Sequence, residues 1–168
     1  MSTNEDKVWE RLTAALGSRI EEVEVRKKRR AVVRVASAVL PQVARTLVEQ
    51  LGGRLATVTG LDVRDGVQLL YHFCFEPSPL VVTVKTTARR PELTIDSVAP
   101  FIPGAEFIER EIMTLLGATF RGHPRMEKLN VADDWPKGVH PLRRDFDARS
   151  ENPQAFEDVS PDAPGRGR

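Results

Sequence analysis

Three histidines and one cysteine are the residues of this chain best suited to acid–base, nucleophilic or metal chemistry. They are His72, His123, His140 and Cys74. His72 and Cys74 stand two residues apart in a predicted strand and so share one face, but the sequence holds no CxxC or HxxxH partner that would complete a zinc site. This favours a packed histidine beside a buried core cysteine.

His123 lies between Gly122 and Pro124, where it could serve as a general base. No serine or cysteine nucleophile stands beside it in sequence, and Glu111 would have to approach it through the fold. A turn histidine hydrogen-bonded to the chain is therefore expected. The alternative that stays open is a freestanding enzyme or metal-binding protein using His123, Glu111 and Cys74, which predicts activity or bound metal in the isolated chain.

Two further patterns bear on ligand chemistry. Asp133 and Asp134 could bind a cation, but their place before Trp135 and Pro136 is more typical of a capped turn. The glycines of this region form neither a GxGxxG nor a P-loop pattern after a strand, so no nucleotide site is predicted. No catalytic, cofactor-binding or metal-binding residue is assigned to the chain.

Composition limits the class of protein. With 25 basic and 24 acidic residues among 168, the net charge of +1 provides no overall attraction to nucleic acid or anionic lipid. The single Cys74 excludes an internal disulfide and an iron–sulfur cluster held by this chain alone. No apolar run is long enough to span a membrane, and the N-terminus lacks signal-peptide features. These features predict a cytoplasmic chain that is soluble by itself.

A basic turn from Lys27 to Arg30 is the one local pattern that suggests nucleic acid. No aromatic residue lies nearby to stack on a base, so a solvated hairpin tip is expected and nucleic acid is not predicted as a partner.

The apolar spacing predicts an α+β fold with a mixed sheet of about four strands covered by two helices, followed by an amphipathic helix and a long extended C-terminal strap. The predicted elements are a helix at 4–16 capped by Thr3 or Asn4 and stopped by Gly17, one or two strands around the basic turn, a helix from Pro41 to Leu51, a hairpin of strands 54–63 and 67–75, and a strand at 80–87.

The amphipathic helix begins at Glu106 and carries an apolar stripe of Ile108, Ile112, Leu115 and Leu116 at helical spacing. Gly117 ends it. Beyond it, prolines and glycines alternate with paired charges, without helical or strand periodicity. We therefore divide the chain into a domain at 1–120, an extended partner-binding strap at 121–148, and a tail at 149–168 that is disordered or pinned by a partner.

An ordered set of motifs follows the same region: an ERE helix, a GHP turn, a DDW turn and a PLRRDF segment. Their residues are Glu109, Arg110, Glu111, then Gly117, Phe120, Gly122, His123, Pro124, then Asp133, Asp134, Trp135, and finally Pro141, Leu142, Arg143, Arg144, Asp145 and Phe146. This set resembles the signature of the 30 kDa subunit family of respiratory NADH dehydrogenase, which includes subunits of membrane-bound, energy-converting NiFe hydrogenases. Weaker similarity extends back to about Ala31.

The resemblance implies a non-catalytic accessory subunit in the peripheral arm of a membrane-bound electron-transfer complex. Its implied partners are a hydrogenase-large-subunit-like subunit, which it would brace, and an iron–sulfur subunit. Iron–sulfur clusters and NiFe or flavin are then expected in those partners and no cofactor in this chain. The implied location is the inner face of the membrane, with membrane contact only through the complex.

The partner-binding residues carried over from the motifs are Glu109, Arg110, Glu111, His123, Pro124, Trp135, Pro141, Leu142, Arg143, Arg144, Asp145 and Phe146. Arg110 could anchor the strap or reach an acidic group on a partner in bidentate fashion. Thr114 and Glu127 depart from the acidic and basic residues usual in the family. These departures favour a hydrogenase-type or other divergent complex over NADH dehydrogenase itself.

Overall fold

A computed structural model of the chain describes residues 4–27, 29–76 and 80–147, with side chains described for 10–24, 29–76 and 80–147. The predicted tail at 149–168 and the alternative helix cap at Thr3 lie outside the described residues. So does Lys28 of the basic turn, and the side chain of Asn4 is likewise not described.

The helices are α1 (Asn4–Leu16), α2 (Leu40–Arg45) and α3 (Ala105–Leu116). Short 3-10 turns at Gly17–Arg19 and Ser37–Val39 follow α1 and precede α2, and a π-helical turn at Thr46–Gln50 extends α2. The strands are β1 (Glu22–Lys27), β2 (Arg30–Arg34), β3 (Gly53–Val63), β4 (Gly66–Phe75), β5 (Leu80–Arg89), β6 (Thr94–Asp96) and β7 (Thr119–Arg121). Within the described part of the chain, no helix has the length and apolar character that crossing a membrane requires.

The main sheet is mixed and has five strands in the order β1-β2-β5-β4-β3. β2 and β5 run parallel, whereas the other neighbouring pairs are antiparallel. The α+β class is confirmed. The sheet has one strand more than the four expected, because both arms of the N-terminal hairpin join it.

One face of this sheet holds the core. In β4, every second side chain points towards the helices and is buried; these residues are Val67, Leu69, Tyr71, Phe73 and Phe75. His72 and Cys74 occupy the intervening positions and are only half-buried. The expectation of a buried core cysteine is therefore wrong, since the strand's alternation assigns the core positions to its neighbours.

Helix α3 packs against β3. Of the predicted stripe, Ile112 and Leu116 are buried, Ile108 is half-buried against the core, and Leu115 is half-buried. At Gly60 in β3, an added Cβ would lie 2.5 Å from Leu116 Cδ1, so the absence of a side chain lets the helix approach. The helix ends as predicted at Gly117, which adopts the left-handed conformation with φ of 77°.

A second, two-stranded sheet was missed by the sequence patterns. β6 precedes α3 in the chain and β7 follows it, and the two strands pair in parallel. Ile95 of β6 lies opposite Phe120 of β7, and both belong to the core. Strands of three residues are too short to show periodicity. The predicted boundary between residues 120 and 121 consequently falls inside β7, and no helix or strand follows in the described part of the strap.

Candidate partner-binding site

Glu109 joins α3 to the rest of the domain from inside. Its carboxylate is fully buried and accepts hydrogen bonds from the Tyr71 hydroxyl at 3.3 Å, the Ser97 hydroxyl at 2.5 Å and the Val98 N–H at 3.0 Å. Burial raises the pKa of Glu109, although the bonds from Ser97 and Val98 oppose that rise. Burial, and then the nearby Glu109 charge, raises the pKa of Tyr71 well above its ordinary value.

His123 fixes the start of the strap. Its Nε2 donates to the Glu106 carbonyl at 3.0 Å, and its Nδ1 accepts the Arg125 N–H at 3.0 Å. These partners assign the hydrogen to Nε2. Nε2 also lies 4.0 Å from the Glu109 carboxylate. The expected turn histidine that hydrogen-bonds the chain is confirmed.

Arg110 anchors the middle of the strap, which is one of the two roles predicted for it. Its Nε donates to the Glu127 carbonyl at 3.1 Å, and its guanidinium lies 3.7 Å from the Glu127 carboxylate. The side chain is only 6% exposed and its guanidinium carbon lies 5.7 Å from the centre of the Phe107 ring. Its described contacts are all within the chain, so a bidentate contact with a partner stays a prediction.

Two neighbouring residues of α3 continue this attachment. The Thr114 hydroxyl accepts the Leu129 N–H at 3.0 Å, and the Glu111 carboxylate accepts a hydrogen bond from the Asn130 amide at 2.5 Å. Thr114 and Glu111 thus both contact the strap.

The strap also caps the C-terminus of α3. The bonds join His140 Nδ1 to the Thr114 carbonyl at 2.8 Å, the Leu142 N–H to the Leu115 carbonyl at 3.0 Å, and Arg143 Nε to the Leu116 carbonyl at 2.8 Å. The last carbonyls of a helix lack partners within it and carry partial negative charge. Strap donors, one of them cationic, satisfy these groups.

A further anchor holds the end of the strap to β3. The Asp62 carboxylate accepts the Arg144 N–H at 3.0 Å and an Arg90 guanidinium hydrogen bond at 2.7 Å, and its side chain is only 7% exposed. Within the strap, the Trp135 and Phe146 rings lie 6.1 Å apart. No sequence pattern marks Asp62 or Arg90, because both act through contacts distant in the chain.

The predicted partner-binding residues thus separate by exposure. Glu109, Arg110 and His123 are buried; Glu111, Trp135, Pro141, Arg143 and Phe146 are half-buried; Pro124, Leu142, Arg144 and Asp145 are exposed. The sequence alone could have shown that Glu109 faces inward. It lies three residues before Ile112 and seven before Leu116, and residues at these spacings share one face of a helix.

The outer side of α3 and the strap leaves large apolar side chains in solvent. Phe107 is 58% exposed, Met126 40% and Leu142 60%. Because the backbone behind them is hydrogen-bonded to the domain, these side chains are held at the surface by a preformed structure.

The enzyme alternative gains no support from the described residues. Glu111 bonds to Asn130 and His123 to main-chain atoms, while Cys74 is half-buried on the face of the main sheet opposite the core. No hydrogen bond or ion pair links Cys74, Glu111 and His123 in the described parts of the chain. The same parts hold no group of three or more His, Cys, Asp or Glu side chains able to bind a metal ion.

A cavity of about 310 Å³ lies where β2 ends beside β5. Its lining mixes cationic Arg34 and Lys85 with anionic Glu21 and Asp65, and includes Thr86, whose buried hydroxyl has no partner among the described residues. No histidine or cysteine is among its lining residues.

Comparison with known proteins identifies the family. Residues 33–152 of the 168 match the profile described as respiratory-chain NADH dehydrogenase, 30 Kd subunit. The chain belongs to this family.

Several members of the 30 Kd subunit family are similar over much of this chain. The C/D subunit of the NADH-quinone oxidoreductase of Phocaeicola vulgatus is 39% identical over 111 residues, which cover 64% of this chain and 20% of that protein. The C subunit of the F(420)H(2) dehydrogenase of Methanosarcina mazei is 31% identical over 122 residues, covering 68% of this chain and 77% of that protein. The chain thus spans about a fifth of the C/D protein and most of the shorter relative.

Solved structures share the fold. A chain in the structure of the membrane-bound sulfane sulfur reductase, an archaeal respiratory membrane complex, aligns with a TM-score of 0.79 at 22% identity and covers 94% of both chains. A trypsin-resistant fragment of Nqo5 aligns with a TM-score of 0.57 at 20% identity, covering 71% of this chain and 97% of the fragment.

Proposed function

We propose that this chain is a non-catalytic accessory subunit in the peripheral arm of a membrane-bound electron-transfer complex of the NiFe hydrogenase or NADH:quinone oxidoreductase type. It braces a hydrogenase-large-subunit-like neighbour and lies near an iron–sulfur subunit, on the inner face of the membrane. Iron–sulfur clusters and NiFe or flavin belong to those partners. Family membership and the names of the relatives support the proposal.

The observation that carries the proposal is the exposure of Phe107 on α3 and of Met126 and Leu142 on the strap that is hydrogen-bonded to it. Aromatic residues and methionine are enriched in protein interfaces, and burying such side chains stabilises association. A pinned backbone loses little conformational entropy when a partner binds, so more of that stabilisation contributes to affinity.

The first experiment is purification of the tagged chain from its native membranes in mild detergent, with mass spectrometry of co-purified proteins and assays of nickel, iron and flavin. Nickel together with a hydrogenase large subunit would indicate a hydrogenase complex. Flavin without nickel would indicate an NADH dehydrogenase type. Recovery of the wild-type chain alone would contradict the proposal.

Variants test the surface itself. Leu142→Asp should lower recovery of the neighbouring subunits about tenfold or more, because a charge replaces an apolar side chain at the interface. Val23→Asp is the matched control: Val23 is 41% exposed, but it lies on β1 at the opposite edge of the sheet from β3 and α3. Equal losses for the two variants would remove Leu142 from the interface.

A further inference from the structure

A small pocket opens in the strap beside the end of α3. Its volume is about 140 Å³, and it is lined by Gly138, Val139, His140, Arg143, Asp145 and Phe146. The bonds that cap α3 use His140 Nδ1 and Arg143 Nε. His140 Nε2 and the two Nη atoms of Arg143 have no hydrogen-bond partner within the described chain.

These unused nitrogens converge on one point. A Cβ at Gly117 would lie 2.6 Å from His140 Nε2 and closer still to Arg143 Nη2, so both nitrogens border the same α-carbon. Because His140 Nδ1 donates to the Thr114 carbonyl, a neutral imidazole has its lone pair on Nε2. His140 and Arg143 also line the pocket, so an imidazole acceptor and a guanidinium donor are close together at its wall.

The charges around the pocket disfavour an anion. Asp145 and Arg143 both line it and carry opposite charges. The C-terminal end of α3 adds partial negative charge on the same side. A neutral group that both accepts and donates hydrogen bonds fits better, and the volume suits a single side chain.

We propose that this pocket binds a carboxamide, the side chain of an asparagine or glutamine of the neighbouring subunit. Its oxygen accepts from Arg143 Nη, and its N–H donates to His140 Nε2. The proposal rests on the proposed subunit function. It gives that interface a polar contact next to the exposed Leu142.

The variant His140→Asn tests the contact without removing the strap's anchor. Asparagine places an N–H donor near the position of Nδ1, which preserves the bond to the Thr114 carbonyl, and has no atom at the position of Nε2. His72→Asn makes the same change on the face of the main sheet opposite the core, where His72 is half-buried. Thermal unfolding of each isolated full-length variant checks that the fold is kept.

The readout is the amount of neighbouring subunits retained per chain when the complex, purified from native membranes, is washed. We expect about tenfold lower retention for His140→Asn, as for loss of one buried hydrogen bond, and no loss for His72→Asn. Equal retention by His140→Asn and the wild type would refute the carboxamide contact alone. Wild-type chain recovered without neighbours would refute the subunit function and the contact together.

Two experiments test whether the group bound in the pocket is a carboxamide. A benzophenone amino acid at Val139 should cross-link a neighbour peptide containing asparagine or glutamine. Changing that residue to alanine should cause a smaller loss in the His140→Asn background, where only the Arg143 contact remains, than in the wild type. A cross-linked peptide without either amide would overturn the assignment.

Discussion

Replacing Glu109 with alanine or glutamine separates its hydrogen bonds from its charge. Alanine leaves the Tyr71 hydroxyl, the Ser97 hydroxyl and the Val98 N–H without an acceptor. At about 1 kcal/mol or more for each orphaned buried donor, the free energy of unfolding should fall by at least about 3 kcal/mol. Glutamine can still accept from Tyr71 and Val98 and can donate to the Ser97 oxygen, so its cost should stay within about 1 kcal/mol.

The pH dependence of the glutamine variant tests the raised pKa of Glu109. A raised pKa means that the folded chain holds the proton of the Glu109 carboxyl group more tightly than the unfolded chain does. In the unfolded chain the pKa of a glutamate is about 4.3. The resulting contribution to stability is fully present below the unfolded pKa and declines as the pH rises through the interval up to the folded pKa. Glu109→Gln lacks this contribution, so the wild-type advantage over it should shrink across that interval.

Urea unfolding followed by circular dichroism, from about pH 4 to about pH 8, provides the measurement. The difference between wild type and Glu109→Gln cancels groups that titrate independently of Glu109. Glu106→Gln, on the same helix but with a partly exposed side chain, is the matched control. A wild-type advantage that grows with pH would show that the hydrogen bonds outweigh burial at Glu109.

Two further substitutions probe how α3 is held. Gly60→Ala should lower the free energy of unfolding by about 1–3 kcal/mol, because the added Cβ would meet Leu116. Gly104→Ala is the control and should change the free energy of unfolding by less than about 1 kcal/mol, because its Cβ would have no atom within 4 Å. Equal effects of the two substitutions would contradict this packing of α3 on β3. Thr114→Val should accelerate hydrogen exchange at the Leu129 N–H, because it removes the hydroxyl that accepts this hydrogen bond. Thr119→Val, at an exposed position, is the control and should not change that exchange. Unchanged exchange at Leu129 in Thr114→Val would exclude the Thr114–Leu129 bond as an anchor of the strap.

Elements with a local signal could be predicted from the sequence. The spacing of Ile112 and Leu116 defined α3, and a glycine in the left-handed region ended it at Gly117. The β3–β4 hairpin was predicted from β-branched and aromatic runs separated by an Asp-Gly turn. In these cases the residues that decide the structure are neighbours in the chain.

Contacts between distant positions could not be predicted. Nothing near Glu109 in sequence announces Tyr71 as its partner, and Asp62 meets the Arg144 backbone from far along the chain. The sequence of the strap shows no periodic face. Its His140 and Arg143 side chains and the Leu142 N–H nevertheless meet the last carbonyls of α3, which have no partner within the helix.

The bonds from His140, Leu142 and Arg143 to the last carbonyls of α3 also set an order of events during translation. The helix leaves the ribosome before these donors do, by a few seconds at ordinary synthesis rates of about 5–20 residues per second. Until then, only water can hydrogen-bond that end of the helix, and its last turn is free to fray. A nascent chain that has emerged from the ribosome only as far as residue 139 should therefore present an incomplete surface to neighbours, which would be recruited only after the strap has emerged.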